Sequence, residues 1–295
     1  MKPSVLRGAA LSPLIIACLA ATWLIWGSTY LVIRYAIAGF APYFMMATRF
    51  LAAGGLLLAW QLARGAPWPT PRQWRNALVV GTLMLGGGMG GVAYAEQTIA
   101  SGIVVAFIAV MPLLLVAINA TFGLYPRRSE LLAVGVGFAG VLMLTQGASL
   151  SASPAGLLAI ALGTSGWALG SVLSQRRLPL APGATGFATE MLAGALALGV
   201  MSVMRGESWR LPADSGTWLA WSYLVVGGSL VAFSAYMALL ARTSASLASS
   251  YSLVNPVVAL LLGVGFGGEA VTAWEWLAAL VVMGGVVLLF IGRRA

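Results

Sequence analysis

The chain has 295 residues, 60% of them hydrophobic and 8% charged, with a mean hydropathy of +0.95. Soluble domains carry about 25% charged residues, so there is too little polar surface here for a water-soluble globule, and the bulk solvent must be lipid. The net charge of +9 comes from basic residues scattered between apolar runs, which excludes a nucleic-acid face; a lone cysteine, Cys18, and no histidine exclude a disulfide framework, a Cys-rich metal site and a histidine proton shuttle.

Residues 1–11, with Lys2 and Arg7, read as a cytoplasmic tail. The apolar stretch before Cys18 is too short for a signal core and the run continues to Ile33, so it reads as a retained first span. A spanning helix needs roughly 20 mainly apolar residues. The pattern predicts ten of them: 12–33, 41–62, 76–95, 99–120, 130–147, 155–174, 184–204, 216–240, 246–266 and 272–292. The fold class expected is therefore all-α and integral to the membrane. The connections are short; the longest, RGAPWPTPRQWR (64–75), is Pro-rich and basic. With the N-terminus inside, 12 basic residues fall in cytoplasmic segments, against Arg34, Arg205 and Arg210 outside. This bias predicts that both termini are cytoplasmic.

The spans divide into two halves, 12–147 and 155–292, joined by a periplasmic linker (148–154) and closed by a cytoplasmic end (293–295). APYFMMATRFLA (41–52) resembles APGATGFATEMLA (181–193) with one residue inserted, and SELLAVGVGFAGVLMLTQG (129–147) resembles WEWLAALVVMGGVVLLFIG (274–292). Pro112 matches Pro256, and Gly27-Ser28 matches Gly170-Ser171. Five spans per half is an odd number, so the second copy enters the membrane from the opposite side. That predicts two inverted five-helix repeats, with a substrate site near the midplane between them.

In the first span Trp23, Trp26 and Tyr30 share one helix face, and Trp167 stands in its counterpart. The alternatives for these aromatics are cavity lining, an interfacial belt or plain packing. Arg49 in the second span and Glu190 in the seventh occupy the centre of the repeated phrase with opposite sign. Their expected roles are gating and coupling or, alternatively, structural anchoring, with Arg49 snorkelling outward. The two should lie in opposite leaflets and not pair. GGGMGG (86–91) signals close helix packing. Tyr94 and Glu96 lie at the outer end of the third span, Glu96 as a solvated residue or a gating charge. Asn119 in the fourth span, and Ser249, Ser250, Ser252 and Asn255 in the ninth, are polar candidates for substrate contact or close packing. Pro256 frees a carbonyl near Ser252. Glu269 looks exterior.

WGSTYLVIRYA (26–36), AEQ (95–97) and SLVNPVVALLLGVGFGGE (252–269) resemble EamA-type permeases of the drug/metabolite transporter superfamily. The resemblance covers nearly the whole chain. It implies bacterial inner-membrane efflux without ATP hydrolysis, with amino acids (aromatic ones included), other metabolites or drugs as substrates. The first half departs from the second at Tyr125-Pro126, where the counterpart of Glu269 would fall. The expected function is metabolite export, amino acids foremost, by alternating access; the alternative is proton-coupled drug or metabolite efflux. The expected partners are a small-molecule substrate and the lipid bilayer, with a monomer as the default. No cofactor, metal or catalytic residue is expected. An intramembrane enzyme would need clustered acids, a histidine or a nucleophile with its base, and the acids here are dispersed. Lys2 is the only lysine, so no P-loop exists.

Overall fold

The computed structural model describes residues 12–97, 104, 108–146, 153–267 and 272–292. The tail at 1–11, most of the linker at 148–154, Glu269, the terminal 293–295 and part of the expected fourth span (99–120) lie outside the described residues. The helices, in chain order, are α1 (Pro13–Ile37), α2 (Pro42–Ala63), α3 (Pro71–Ala95), α4 (Met111–Thr121), α5 (Arg128–Thr145), α6 (Pro154–Arg176), α7 (Ala184–Met204), α8 (Ser215–Arg242), α9 (Tyr251–Gly267) and α10 (Ala273–Gly292). A single turn, Ala245–Ala248, precedes α9. No strand occurs among the described residues. Among the described residues, six helices are long and apolar enough to cross a bilayer: α1, α2, α3, α6, α7 and α8.

Local chemistry sets the helix starts. Proline occupies the first turn of α1, α2, α3, α4 and α6, where its missing N–H costs no hydrogen bond. The α3 helix begins at Pro71, five residues before the expected position. Thr70 and Gln73 form a reciprocal capping box there, so a stretch that reads as basic loop is already helical. At the head of α8, Asp214 accepts from the Thr217 N–H at 2.7 Å. That bond, the Thr217 hydroxyl and the Gly216 N–H hold its carboxyl below the usual range.

The start of α2 lacks a cap of its own, because its N-cap residue is Ala41. Glu207, after α7, supplies one. Gly206 adopts φ +67°, which turns the chain back, and the Glu207 carboxylate accepts from Tyr43 N (3.1 Å) and Phe44 N (2.8 Å). Ser202 Oγ donates to the same carboxylate at 2.7 Å. A cap of this kind contributes about 1–2 kcal/mol, and here it also ties α2 to α7.

Packing follows an exchange pattern between the halves. The second helices pack together (α2 with α7), as do the fifth helices (α5 with α10). The first helix of each half lies against the third and fourth of the other: α1 on α8 and α9, α6 on α3 and α4. Small residues make these approaches possible, as helix association in lipid requires. A Cβ on Gly54 would stand 2.9 Å from Ala188 O, and one on Gly163 2.8 Å from Gly87 O. The 86–91 glycines serve two contacts: Gly91 abuts Ala159 O and Gly88 the Trp167 ring on α6, while Gly86 and Gly90 face Ala197 and Leu198 on α7. Both third helices widen to π geometry at matching positions, Thr82–Met89 in α3 and Leu224–Phe233 in α8.

Candidate functional site

A cavity with about 50 Å³ of water-accessible space lies among α1, α3, α4, α6 and α9. Trp26, Thr29, Tyr30, Trp167, Thr164 and Tyr251 line it, with Met89 and Met111. Trp26 and Trp167 meet edge to face at 5.7 Å between ring centroids. Tyr251 stands 4.6 Å from Trp26, and Tyr236 packs at 5.3 Å from Trp26 and 5.7 Å from Trp167. The Trp26 indole N–H donates to Gly228 O in the π segment of α8 at 3.0 Å. The Trp167 N–H lies near the Tyr236 hydroxyl without hydrogen-bond geometry and is buried with no partner. The wall is thus largely aromatic, with indole, phenol and threonine hydroxyl groups as its polar edges.

The remaining sequence candidates are distributed around this cavity and not gathered into it. Trp23, expected on the same face, instead donates to Ser250 Oγ at 3.0 Å. Tyr94 stacks on Tyr43 with centroids 6.5 Å apart, and the Arg205 guanidinium lies over its ring. Asn119 turns back on its own helix, donating to Leu115 O at 2.8 Å. Ser249, Ser250 and Ser252 are buried, and their hydroxyls bond carbonyls one turn back, at Ser246, Leu247 and Ser249. These bonds fit the close-packing alternative, in which a small hydroxyl is satisfied locally.

Arg49 does not snorkel. It is 1% exposed, the largest fully buried side chain among the described residues. Its Nε donates to Ser229 Oγ at 2.8 Å, Nη1 lies 3.6 Å from Met46 Sδ, and the guanidinium sits over the Phe50 ring at 4.8 Å. Gly228 makes room: a Cβ there would stand 2.6 Å from Nη2. Arg49 therefore locks α2 onto the π segment of α8, next to the carbonyl that holds Trp26. Glu190 is also fully buried, and neither carboxylate oxygen has a hydrogen-bond partner. The two charges hold different surroundings and form no bond with each other.

Glu96 departs from its solvated reading. It caps the end of α3, is half-buried, and its Oε2 is shut off from solvent without a partner. Arg34 acts electrostatically on it, and it in turn acts on the phenol of Tyr30. Asn255 lies beside the same phenol, yet neither of its amide atoms reaches hydrogen-bond geometry. Tyr236 and Tyr251 escape the sequence reading. Tyr251 sits inside the polar run of the ninth span, where its neighbouring serines draw the eye. Tyr236 follows the glycine-rich part of α8 with no polar neighbour but Ser234. A pairing of Ser171 with a distant phenol (Ser171 Oγ to Tyr236 OH, 3.0 Å) has no local signal.

The family model for the EamA-like transporter family matches this chain twice, over residues 12–146 and 154–291. The uncharacterized inner membrane transporter YedA of Escherichia coli K12 is 43% identical over 277 residues, 93% of this chain and 90% of its own length. Protein PecM of Dickeya dadantii is 24% identical over 267 residues, covering 90% of this chain and 88% of PecM. One solved crystal structure superposes with a TM-score of 0.78 at 25% identity, covering 97% of this chain and 99% of the other. The two matches abut at the junction between the halves that exchange helices in the fold. With its apolar helices, its aromatic cavity and this double match, the chain belongs to the EamA-like transporter family.

Proposed function

We propose that this protein is a secondary exporter of small metabolites, amino acids (aromatic ones included) foremost, in the bacterial inner membrane. It would have ten spans in two inverted halves, both termini in the cytoplasm, and would make or break no bond. The carrying observation is the aromatic cavity between the first helices of the two halves, walled by Trp26 and Trp167. Its position fits a site between repeats. The exchange pattern of helix packing supports the pseudo-two-fold arrangement, and the inner-membrane naming of YedA supports the location.

Cavity size bears on mechanism. About 50 Å³ of water-accessible space holds a few waters, whereas small-molecule pockets span roughly 300–1,000 Å³. A substrate therefore needs the helices around it to move apart. Gly88 and Met89, in the π segment of α3, form part of the wall, so a shift of that segment would open the cavity directly. Rocking one half against the other would then expose it alternately to each side.

A counterflow assay in proteoliposomes, with the purified chain and a panel of amino acids, sugars and cationic drugs, tests this reading. Exchange of amino acids is the expected result. Exchange confined to drugs would favour the efflux alternative, and no exchange of any member would overturn transport of these classes. One observation favours proton coupling: the Glu190 carboxylate is buried in a helix without a partner. Accumulation driven by a pH step and lost in Glu190→Gln, with exchange at equal pH retained, is the result expected from coupling. Orientation has its own readout: a reporter fused at residue 180 should report cytoplasm, and fusions at 150 and 212 periplasm.

A further inference from the structure

The cavity has one polar end. Tyr30 belongs to its wall, and one helical turn beyond the wall residues Val92 and Tyr251 stand Glu96, whose N–H bonds Val92 O at 2.9 Å, and Asn255. These groups come from three helices: Tyr30 from the last third of α1, Glu96 from the end of α3 and Asn255 from α9. Asn255 is 1% exposed and both its amide atoms lack partners. Glu96 Oε2 is likewise buried and unpartnered. Three such atoms on two residues that each follow a wall residue by one turn call for a partner, because each costs about 1–3 kcal/mol when left buried without a bond. The hydroxyls of Thr29 and Thr164 in the same wall are satisfied, each donating to a carbonyl one turn back, at Trp26 and Ile160.

The chemistry of the set identifies what would satisfy it. A carboxylate oxygen, an amide oxygen and a phenol oxygen are acceptors, and the ligand most rich in donors with matching charge is a primary ammonium, with three N–H groups. Arg34 acts on Glu96 electrostatically, and among the described residues no ion pair joins the two. Arg34 is exposed at the last turn of α1, so it leaves the carboxylate available. Beyond Tyr30 the wall is largely apolar and aromatic (Ile33, Val92, Ile108, Met111, Trp26 and Trp167), and its two threonines, Thr29 and Thr164, spend their hydroxyls on backbone carbonyls. Such a site suits a solute with an ammonium head and an apolar or aromatic body.

We propose that Glu96, Asn255 and Tyr30 form the ammonium-binding end of the transport cavity, so that substrates are primary amines or amino acids with an apolar body. This rests on the reading of the cavity as the transport site. Glu96 supplies charge, Asn255 Oδ1 supplies a neutral acceptor, and Tyr30 joins the polar end to the aromatic wall.

Three probes with one phenylethyl body separate the possibilities in the purified parent protein, by calorimetric titration in detergent. Phenylalanine carries both charges, phenethylamine the ammonium alone, and 3-phenylpropionate the carboxylate alone. Phenethylamine and phenylalanine should bind at least tenfold more tightly than phenylpropionate. Equal binding of all three would remove the ammonium subsite while leaving an apolar transport cavity standing. Tightest binding of phenylpropionate would overturn the proposal in favour of Arg34 as the recognition group. Binding by none would remove both the subsite and the cavity reading for this class of body. In Glu96→Gln, affinity for both ammonium probes should fall tenfold or more, with that for phenylpropionate unchanged. Unchanged amine affinity there would overturn the assignment of Glu96. Asn255→Ala, on the facing helix, should show the same selective loss, and the probe series in the parent decides the matter if either variant fails to fold.

Discussion

Trp26→Ala should both destabilise the protein and slow transport by at least tenfold. The side chain is 8% exposed and joins three roles. It lines the cavity, it packs within 4.6–5.7 Å of the Tyr251, Tyr236 and Trp167 rings, and it donates to Gly228 O on another helix. Truncating a buried Trp to Ala costs about 3–5 kcal/mol, because the neighbours only partly collapse into the space. Trp26→Phe keeps most of the ring and loses the indole N–H, so it should cost about 1 kcal/mol for the Gly228 carbonyl left without its donor. Counterflow rates and thermal unfolding in detergent read the two effects separately. Phe recovering stability but not transport would assign the N–H to the working cycle. If Trp26→Ala matched the parent in both measurements, the aromatic wall would have no role in either.

Gly285→Ala is the second large effect, and its neighbour is the control. A Cβ on Gly285 would stand 2.5 Å from Gly137 N and 2.6 Å from Gly137 Cα. Those are backbone atoms, so no side chain can swing aside; the α5–α10 seam must open. Overpacking of this kind costs about 1–3 kcal/mol, and more where backbone is the obstacle. A Cβ on Gly284 meets nothing within 4 Å, so Gly284→Ala should be neutral or slightly stabilising through helix propensity. Thermal unfolding of the two variants side by side checks this. Equal melting temperatures would mean that the seam is looser than its backbone contacts require.

The seam also shows how a sequence repeat becomes a contact. Gly140 and Gly285 match in the two copies, and both lie at the α5–α10 approach; a Cβ on Gly140 would stand 2.7 Å from Val282 N. The same holds for ATRFLA and ATEMLA, whose helices α2 and α7 pack together. The repeat was legible because it needs no geometry, only comparison of letters. What the opposed charges do was not. Arg49 finds Ser229 and the cleared space at Gly228, some 180 residues away, while Glu190 finds nothing.

Composition by itself determined the lipid solvent, since a mean hydropathy of +0.95 and 8% charge leave too little polar surface for water, and the apolar runs marked the helices that the structure describes at span length. Tertiary structure alone decided which residues face inward. In a soluble protein the polar side of a helix marks the outside, and periodicity points to the core. Here lipid and core are both apolar, so the pattern is blind to the difference: Leu24 is 61% exposed and Trp26, two residues on, is 8% exposed. The same blindness hid Tyr236 and Tyr251, and it left Glu96 looking solvated at the end of its span. Their meeting around one cavity follows from the crossing of helices from opposite halves, a long-range arrangement with no counterpart in local sequence.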